Sequence, residues 1–505
     1  MIQGTASHVG KSVLVTAFCR LFREDGWRVA PFKAQNMSLN AYVTVDGGEI
    51  GRAQGVQAEA AGVEATVDMN PVLLKPKRDT VAQVIIHGRP AGDFSARDYR
   101  EEYLEVAWRA VKESLTRLTA EYDLIVIEGA GSPAEVNLRE RDIANMRVAA
   151  LSGAPVILAA DIDRGGVFAQ LVGTLKLLSP EEAACVRGLV INRFRGDLSI
   201  LEPGLRFLEE ETGRPVLGVL PFLPDLGVAA EDSVSLGAGI VRPEAELEIV
   251  VVRLPRIANF DDFDPLLLEP DVSLRFLAHP SLLGMPDVLV LPGTKNTVAD
   301  LQWVFESGWA EAIRGRAAAG MPVLGICGGY QMLGKDVSDP EGLQDRVGSF
   351  TGLGLLDVRT AFKPGKVTVR RRGVVAGSGA LVELAGQRVY GYEIHAGETA
   401  CGTGVAPVFL LEENGRMLAE GSSQGLVWGT YLHGLFDSDG FRRGFLNLLR
   451  MRRGLPPVDF GLSWTRYKED GFARLAATVR KYLRMEEVYR WLNLGGGRGW
   501  ICAGW

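Results

Sequence analysis

The sequence predicts an α/β fold in which helices cover both faces of largely parallel sheets. Two observations lead to this prediction: short apolar runs recur along the chain, and stretches with helical periodicity separate them. Within each run the apolar residues are continuous rather than alternating, as in strands that are buried on both faces. The runs that predict strands lie at 123–127, 156–160, 188–191, 216–220, 249–252, 288–291 and 323–326.

Length and composition predict more than one domain. The chain has 505 residues, of which 47% are hydrophobic and 23% are charged, so two or three domains can each bury a core. A Gly/Pro-rich stretch that becomes acidic, at 236–248, predicts the main boundary. We therefore expect domains at 1–240 and 248–450, followed by a helical C-terminal extension at 451–505 with a flexible, glycine-rich end.

Charge and cysteine content argue against several classes of function. The formal net charge is −7 and no dense block of Lys or Arg offsets it, so no nucleic-acid partner is expected. The five cysteines are scattered and form no CxxC pair, which disfavours a disulfide framework or a structural zinc site and favours the cytoplasm. No apolar run reaches membrane-spanning length, and no signal-peptide pattern opens the chain, so no membrane insertion is expected.

The segment GTASHVGKS, from Gly4 to Ser12, has the pattern of a phosphate-binding loop that opens a helix. Its glycines let backbone N–H groups surround phosphates, and in this pattern Lys11 contacts the β- and γ-phosphates while the Ser12 hydroxyl binds Mg²⁺. Five residues rather than the usual four separate Gly4 from Gly10. The Lys-Ser pair nevertheless begins an amphipathic helical pattern, which disfavours a bare glycine-rich turn. We predict ATP and Mg²⁺ as ligands, with Gly4, Thr5, Gly10, Lys11 and Ser12 around the nucleotide.

Acidic residues follow two of the predicted strands. Glu128 comes directly after the run 123–127, and Asp161 and Asp163 follow the run 156–160. Ligands of open parallel sheets collect at the carboxyl ends of the strands. Acids at strand ends are common on ordinary surfaces, but together with a phosphate loop these three favour a site for Mg²⁺.

The segment PVLGICGGYQ has the pattern of a nucleophile elbow, a sharp strand-to-helix turn that exposes one reactive side chain. It predicts Cys327 as the nucleophile, with backbone N–H groups such as that of Gly328 stabilising an oxyanion. A buried structural cysteine is the alternative, and it suits Cys19 or Cys185 better. His433, in TYLHG after another apolar run, is the candidate base.

Several longer segments give the chain a specific resemblance. Over about residues 1–490 it resembles the cobyric acid synthase family of cobalamin-biosynthesis amidotransferases. The N-terminal half is also similar to dethiobiotin synthetase, which has a P-loop NTPase-like fold, and the C-terminal half to class I glutamine amidotransferases. The segments that show the family resemblance are PFKAQNMSLN at 31–40, GEIGRAQ at 48–54, MNPVLLKP at 69–76, GAGSPAE at 129–135, NLRERDIANM at 137–146 and DIDRGGVFAQ at 161–170.

The resemblance implies further site residues. Lys33, Glu49 and Glu128 are expected around the nucleotide, the Mg²⁺ ion and the acceptor carboxylate, with Asn192 at the adenine. The implied metal ligands are Ser12, Glu49 and Glu128.

In the C-terminal half, the resemblance to class I amidotransferases implies that Gly293, in LPGTK, lies on the oxyanion strand. One position departs from that class: Leu435 stands two residues after His433, where class I members have a glutamate. The resemblance implies that this family relies on a Cys327–His433 pair. His395, in YEIHAG, also looks typical of the family, and we favour a structural role for it.

The implied activity is the ATP- and glutamine-dependent amidation of the b, d, e and g carboxylates of adenosylcobyrinic acid a,c-diamide. The acceptor passes through acyl phosphates, and Cys327 and His433 release ammonia from glutamine. The partners are these small molecules, and a homo-oligomeric state stays open. Two alternatives remain: cobyrinic acid a,c-diamide synthase, and a nucleotide-switch ATPase of the partitioning type. The latter would not need Cys327 or His433 and would carry a second lysine in the phosphate loop.

Overall fold

The computed structural model describes residues 1–78, 80–224, 239–459 and 461–494. These residues form two compact units. The first unit contains 1–38, 49–224 and 467–494, and the second contains 39–48 and the described residues of 239–466. The expected flexible C-terminal end from residue 495, and residues 236–238 of the expected boundary, lie outside the described residues.

The first unit is built on a parallel sheet, as the continuous apolar runs predict. An isolated bridge between Ile2 and Glu128 joins a two-stranded and a four-stranded parallel group into one sheet. Its strands, in spatial order, are Val29–Phe32, Leu124–Ile127, Ile2–Gly4, Val156–Asp161, Val186–Phe194 and Val216–Pro221.

Helices and a smaller sheet complete the first unit. Helix Lys11–Glu24 packs Leu14, Phe18 and Leu21 into a core shared with Ile2, because its apolar residues recur at helical spacing. The other described α-helices are Arg52–Ala61, Ala96–Asp98, Leu104–Glu121, Met146–Ser152, Val167–Leu177, Pro180–Cys185, Leu198–Thr212, Trp464–Tyr482 and Met485–Trp491. The first residues of Trp464–Tyr482 belong to the second unit. The smaller sheet contains Gln35–Met37, Val72–Arg78, Val81–Ile86 and Arg89–Ser95.

The second unit is built on a seven-stranded sheet whose central strands are parallel. Its strands, in spatial order, are Gly239–Ile240, Val272–Leu277, Leu247–Val252, Val288–Leu291, Val323–Ile326, Val427–Thr430 and Ser422–Gln424. Its helices are Asp264–Leu268, Thr297–Glu306, Trp309–Ala318, Gly328–Leu333 and Asp439–Arg452. The α/β class predicted from the sequence is confirmed in both units.

Two further sheets flank this core of the second unit. One contains Arg416–Glu420, Phe409–Glu413, Val367–Val375, Arg388–His395 and Leu432–His433, and the other Gly348–Thr351, Asp336–Asp339, Val358–Ala361 and Glu398–Cys401. The short strand Ala41–Val43 also belongs to the second unit, whereas Glu49–Gly51 belongs to the first. Within the described ranges, no helix combines the length and apolar character needed to cross a bilayer.

Candidate active sites

The predicted nucleophile elbow is present in the second unit. Strand Val323–Ile326 ends directly before Cys327, and helix Gly328–Leu333 begins directly after it. Cys327 has φ 51° and ψ −108°, a strained conformation for a residue with a side chain. A Cβ atom on Gly329 would collide with the carbonyl of Leu291, so the close packing of the helix under the elbow requires a glycine there.

His433 lies beside Cys327 because their strands are neighbours. Strands Val323–Ile326 and Val427–Thr430 are parallel, and the backbone N–H of Cys327 donates to the carbonyl of Thr430 at 2.8 Å. The chain then reaches the buried His433, close enough to Cys327 for the cysteine to contribute to the raised pKa of the imidazole. The two residues predicted to form the pair are therefore brought together.

Asp262 is the residue that sequence analysis missed. Its Oδ2 lies 2.7 Å from Nδ1 of His433, and its Oδ1 accepts a hydrogen bond from the N–H of Gly434 at 2.7 Å. Both side chains of the ion pair are almost fully buried, at 1% and 2% exposure. Because Asp262 occupies Nδ1, Nε2 of the ring is left for the thiol.

The expectation of a pair without an orienting carboxylate is therefore wrong. Leu435, in the position of the usual glutamate, packs in the apolar core of the second unit, and Asp262 orients His433 in its place. Asp262 comes from a turn at 259–263, hereafter the acid turn, which contains a single 3₁₀ turn. The only sequence signal was an acidic pair within the apolar segment NFDDF.

The electrostatics of His433 suit a thiolate partner. Burial alone would lower its pKa, but the charge and hydrogen bond of Asp262, with a contribution from Cys327, outweigh burial and raise the pKa above its ordinary value. The imidazolium form is therefore favoured. A protonated imidazole next to a thiol stabilises the thiolate, which is the nucleophilic form of cysteine.

The two residues predicted for the oxyanion site lie in the same region. A Cβ atom on Gly293 would stand 2.9 Å from Cε1 of His433, and one on Gly328 would stand 3.2 Å from the backbone nitrogen of Thr294. The close packing at both positions therefore favours glycine. The carbonyl of Gly293 accepts a hydrogen bond from the N–H of Ala258 at 2.9 Å, which fixes the orientation of its peptide group.

His395 lies near this site but has a different ring partner from His433. Its ring stacks on Tyr431 with 3.7 Å between ring centroids. Burial lowers its pKa to about 4, so it is neutral near pH 7. The carbonyl of the preceding residue, Ile394, is 3.8 Å from Sγ of Cys327. This packing agrees with the structural role expected for His395.

The phosphate loop occupies the carboxyl end of strand Ile2–Gly4 in the first unit. Gly10 has φ 98° and starts helix Lys11–Glu24. A Cβ atom on Gly10 would collide with the side-chain amide of Asn192, whose Nδ2 donates to the carbonyl of Val9 at 2.9 Å. Asn192 therefore supports the loop directly. Thr5, at the other end of the loop, donates through Oγ1 to Gln170 at 3.1 Å.

Two of the predicted side chains, those of Ser12 and Lys33, meet at Glu128, which is fully buried. Its Oε1 accepts hydrogen bonds from Ser12 Oγ and Lys33 Nζ, both at 2.9 Å. Its Oε2 accepts from Gln57 Nε2 at 2.5 Å, a contact that sequence analysis did not anticipate. Lys11 donates to backbone carbonyls, including that of Gly131 at 2.9 Å.

Ser12 and Glu128 have the oxygen side chains that Mg²⁺ prefers, and their Oγ and Oε1 atoms lie 2.9 Å apart. Within the described ranges no cluster of three or more His, Cys, Asp or Glu residues could hold a metal. Mg²⁺ in nucleotide sites takes one or two protein ligands together with phosphate oxygens and water. Glu49 forms a buried ion pair with Lys75 at 2.7 Å, and Asp161 pairs with Arg193 at 2.9 Å. The metal and nucleotide roles of these residues stay predictions.

Comparison with known proteins agrees with this arrangement. Residues 1–236 match the CobQ/CobB/MinD/ParA nucleotide binding domain family, and residues 248–441 match the CobB/CobQ-like glutamine amidotransferase domain family. The chain therefore has a nucleotide-binding domain, and its glutamine amidotransferase domain contains Cys327, His433 and Asp262.

Three relatives that are similar over nearly their full length are named cobyric acid synthase. Cobyric acid synthase of Pelotomaculum thermopropionicum is 54% identical, over 99% of this chain and 97% of the relative. Those of Desulforamulus reducens and Geobacillus kaustophilus are each 50% identical, over 99% of this chain and 98% of the relative. These names support the cobyric acid synthase reading over the a,c-diamide synthase alternative. The amidotransferase domain at residues 248–441 supports it over the partitioning ATPase alternative. The chain belongs to the cobyric acid synthase family.

Proposed function

We propose that this enzyme amidates the b, d, e and g carboxylates of adenosylcobyrinic acid a,c-diamide, using ATP and ammonia released from glutamine. The observation that carries the proposal is the presence, in one chain, of a Cys327–His433–Asp262 site and a phosphate loop. Glutamine hydrolysis needs the first site, and activation of a carboxylate needs the second. Full-length similarity to proteins named cobyric acid synthase supports the choice of acceptor.

In the glutaminase half, the Cys327 thiolate attacks the side-chain amide carbon of glutamine. N–H groups near Gly293 and Gly328 stabilise the resulting oxyanion. His433 gives its proton to the departing nitrogen, so that ammonia leaves and a thioester remains. The neutral imidazole then takes a proton from water, whose oxygen attacks the thioester and releases glutamate. Asp262 holds the ring in the orientation that both proton transfers need.

In the ligase half, an oxygen of the acceptor carboxylate attacks the γ-phosphorus of ATP, and ADP leaves. The acyl phosphate provides a good leaving group, so ammonia displaces phosphate and forms the carboxamide. Lys11 and Lys33 supply positive charge where the phosphoryl group is transferred. Ser12 and Glu128 would hold Mg²⁺, which adds charge neutralisation when it is bound. Asn192 would contact the adenine as well as supporting the loop.

The state of the cysteines supports a cytoplasmic location for this reaction. All four described cysteines are free thiols, and free thiols persist in a reducing compartment. A catalytic thiol such as Cys327 also depends on remaining reduced.

An acceptor screen with ATP and glutamine tests the proposal. We expect cobyrinic acid a,c-diamide, in its adenosyl form, to be amidated stepwise, with one fixed decrease in mass for each hydroxyl replaced by an amino group. Glutamate release and ADP formation should each match the number of amides formed. Amidation only of cobyrinic acid itself would instead identify an a,c-diamide synthase. ATP hydrolysis without any glutamate release would contradict an amidotransferase.

A further inference from the structure

A short segment early in the chain belongs to the second unit. Residues 39–48 pack there, although the residues on either side belong to the first unit. The N–H of Ser38 donates to the carbonyl of Leu74 at 3.1 Å, and that of Glu49 donates to the carbonyl of Gly88 at 3.0 Å. The chain is thus fixed in the first unit directly before and directly after this segment.

The segment is hydrogen-bonded to the acid turn. The N–H of Ala41 donates to Oδ1 of Asn259 at 2.9 Å, and the N–H of Phe260 donates to Oδ1 of Asn40 at 3.3 Å. Asn259 has a left-handed backbone conformation, with φ 52°. Both asparagines are buried, so removing either acceptor would leave a buried N–H group without this bond.

The same segment also contacts the residue that stacks on His433. Tyr392 lies opposite His433 in the antiparallel pairing of their strands. Its ring stacks on the imidazole with 5.4 Å between centroids and 20° between planes. Its hydroxyl donates to the carbonyl of Ala41 at 3.4 Å, and Ala41 and Val43 share a buried apolar cluster with Tyr392.

We propose that Asn40 and the backbone of Ala41 are positioning elements of the glutaminase, holding Asp262 and Tyr392 in register with His433. The segment is hydrogen-bonded to the acid turn, which contains Asp262. It also contacts Tyr392, whose ring stacks on His433. Neither Asn40 nor Ala41 is placed at the thiol, so they act through other residues. This inference rests on the proposed role of Cys327 and His433.

The pH dependence of glutamine hydrolysis distinguishes positioning from a merely structural role. The groups that face or influence His433 are Asp262, Cys327, the ring of Tyr392 and the more distant His395. If the acid turn loosens, the Asp262 charge raises the pKa of His433 less. The imidazolium is then lost at lower pH, so the alkaline limb of kcat moves to lower pH.

The experiment compares Asn40→Ala, Tyr392→Phe and the control Val45→Ala in the full-length enzyme. Tyr392→Phe keeps the stacked ring and removes the hydroxyl that donates to the carbonyl of Ala41. Val45 lies in the same segment but is 64% exposed. We measure glutamate release from glutamine across pH, ammonia-driven amidation, and thermal unfolding.

For Asn40→Ala we expect kcat for glutamine hydrolysis to fall about 5- to 30-fold, the range that corresponds to losing one or two buried hydrogen bonds. KM for glutamine and ammonia-driven amidation should stay close to wild type. Tyr392→Phe should shift the alkaline limb in the same direction by a smaller amount, and Val45→Ala should not shift it.

Wild-type kcat and pH profile in both Asn40→Ala and Tyr392→Phe would overturn the inference. If Asn40→Ala fails to fold, Tyr392→Phe alone decides. Failure of the proposed function is a separate result, because the unaltered enzyme would then release no glutamate, or Cys327→Ala would still release it.

Discussion

Replacement of Asp262 by asparagine tests the most specific feature of the glutaminase site. The substitution keeps the shape of the side chain and removes its charge. The side-chain amide of the variant would present either an uncharged oxygen or an N–H group to Nδ1 of His433, where the carboxylate oxygen now lies at 2.7 Å. In the second orientation Nδ1 becomes an acceptor, so the proton moves to Nε2 and the ring can no longer take a proton from the thiol.

The expected loss follows from two contributions. A buried hydrogen bond to a charged group contributes about 1.5–3 kcal/mol, which corresponds to a loss of roughly 10- to 150-fold in kcat. The wrong tautomer adds to this, and in a serine protease the same exchange costs about 10⁴-fold. We therefore expect kcat for glutamine hydrolysis to fall at least about 10-fold and as much as about 10⁴-fold. Because Asp262 raises the pKa of His433, the alkaline limb should also move to lower pH.

The assay is glutamate release from glutamine, with ammonia-driven amidation measured in parallel. Asp459→Asn serves as the control, since Asp459 is an exposed acid of the second unit. Ammonia-driven amidation should be retained in Asp262→Asn, because Asp262 contacts the glutaminase residues His433 and Gly434 and ammonia-driven amidation bypasses the glutaminase. A rate of glutamine hydrolysis and a pH profile equal to wild type would refute the view that Asp262 orients the base.

Two further predictions separate the half-reactions. Cys327→Ala should abolish glutamine-dependent amidation and leave ammonia-driven amidation largely intact. The control Cys401→Ala, which removes an exposed thiol, should retain both reactions. If Cys327→Ala also lost the ammonia-driven reaction at saturating ammonium, the assignment of the two half-reactions to separate sites would be contradicted. Lys11→Ala should remove amidation with either nitrogen source while sparing part of the glutamine hydrolysis, because it removes charge at the transferred phosphoryl group. ADP formation measures this effect against the exposed control Lys112→Ala, and normal amidation by Lys11→Ala would contradict the phosphate-loop assignment.

The sequence predicted the central strands well because their pattern depends on local burial alone. The runs 288–291 and 323–326 coincide with strands Val288–Leu291 and Val323–Ile326. The elbow and the phosphate loop were also predictable, since each is one continuous segment whose glycines meet local steric demands. The flanking sheets of the second unit were not anticipated, because strands such as Arg416–Glu420 are mostly exposed and have no continuous apolar run.

Contacts between residues far apart in the sequence were also not predicted, and the reason is physical. Asp262 and His433 are 171 positions apart, so no local spacing rule connects them. Gln57 and Glu128 are 71 positions apart and meet for the same reason. A single sequence shows which residues can ionise or donate. It does not show which of them the tertiary fold brings within hydrogen-bond distance.

Because Asp262 comes from a separate turn, the orientation of His433 depends on more contacts than it would with an acid two residues further along the chain. In the class I pattern, a glutamate two residues after the histidine comes from the same short segment, so one loop fixes both groups. Here Leu435 takes that position, and the acid comes from a separate turn whose backbone is hydrogen-bonded to Asn40 and Ala41. The orientation of His433 therefore depends on contacts between three stretches of chain. A disturbance of residues 39–48 can thus reach the thiol without touching any group that reacts.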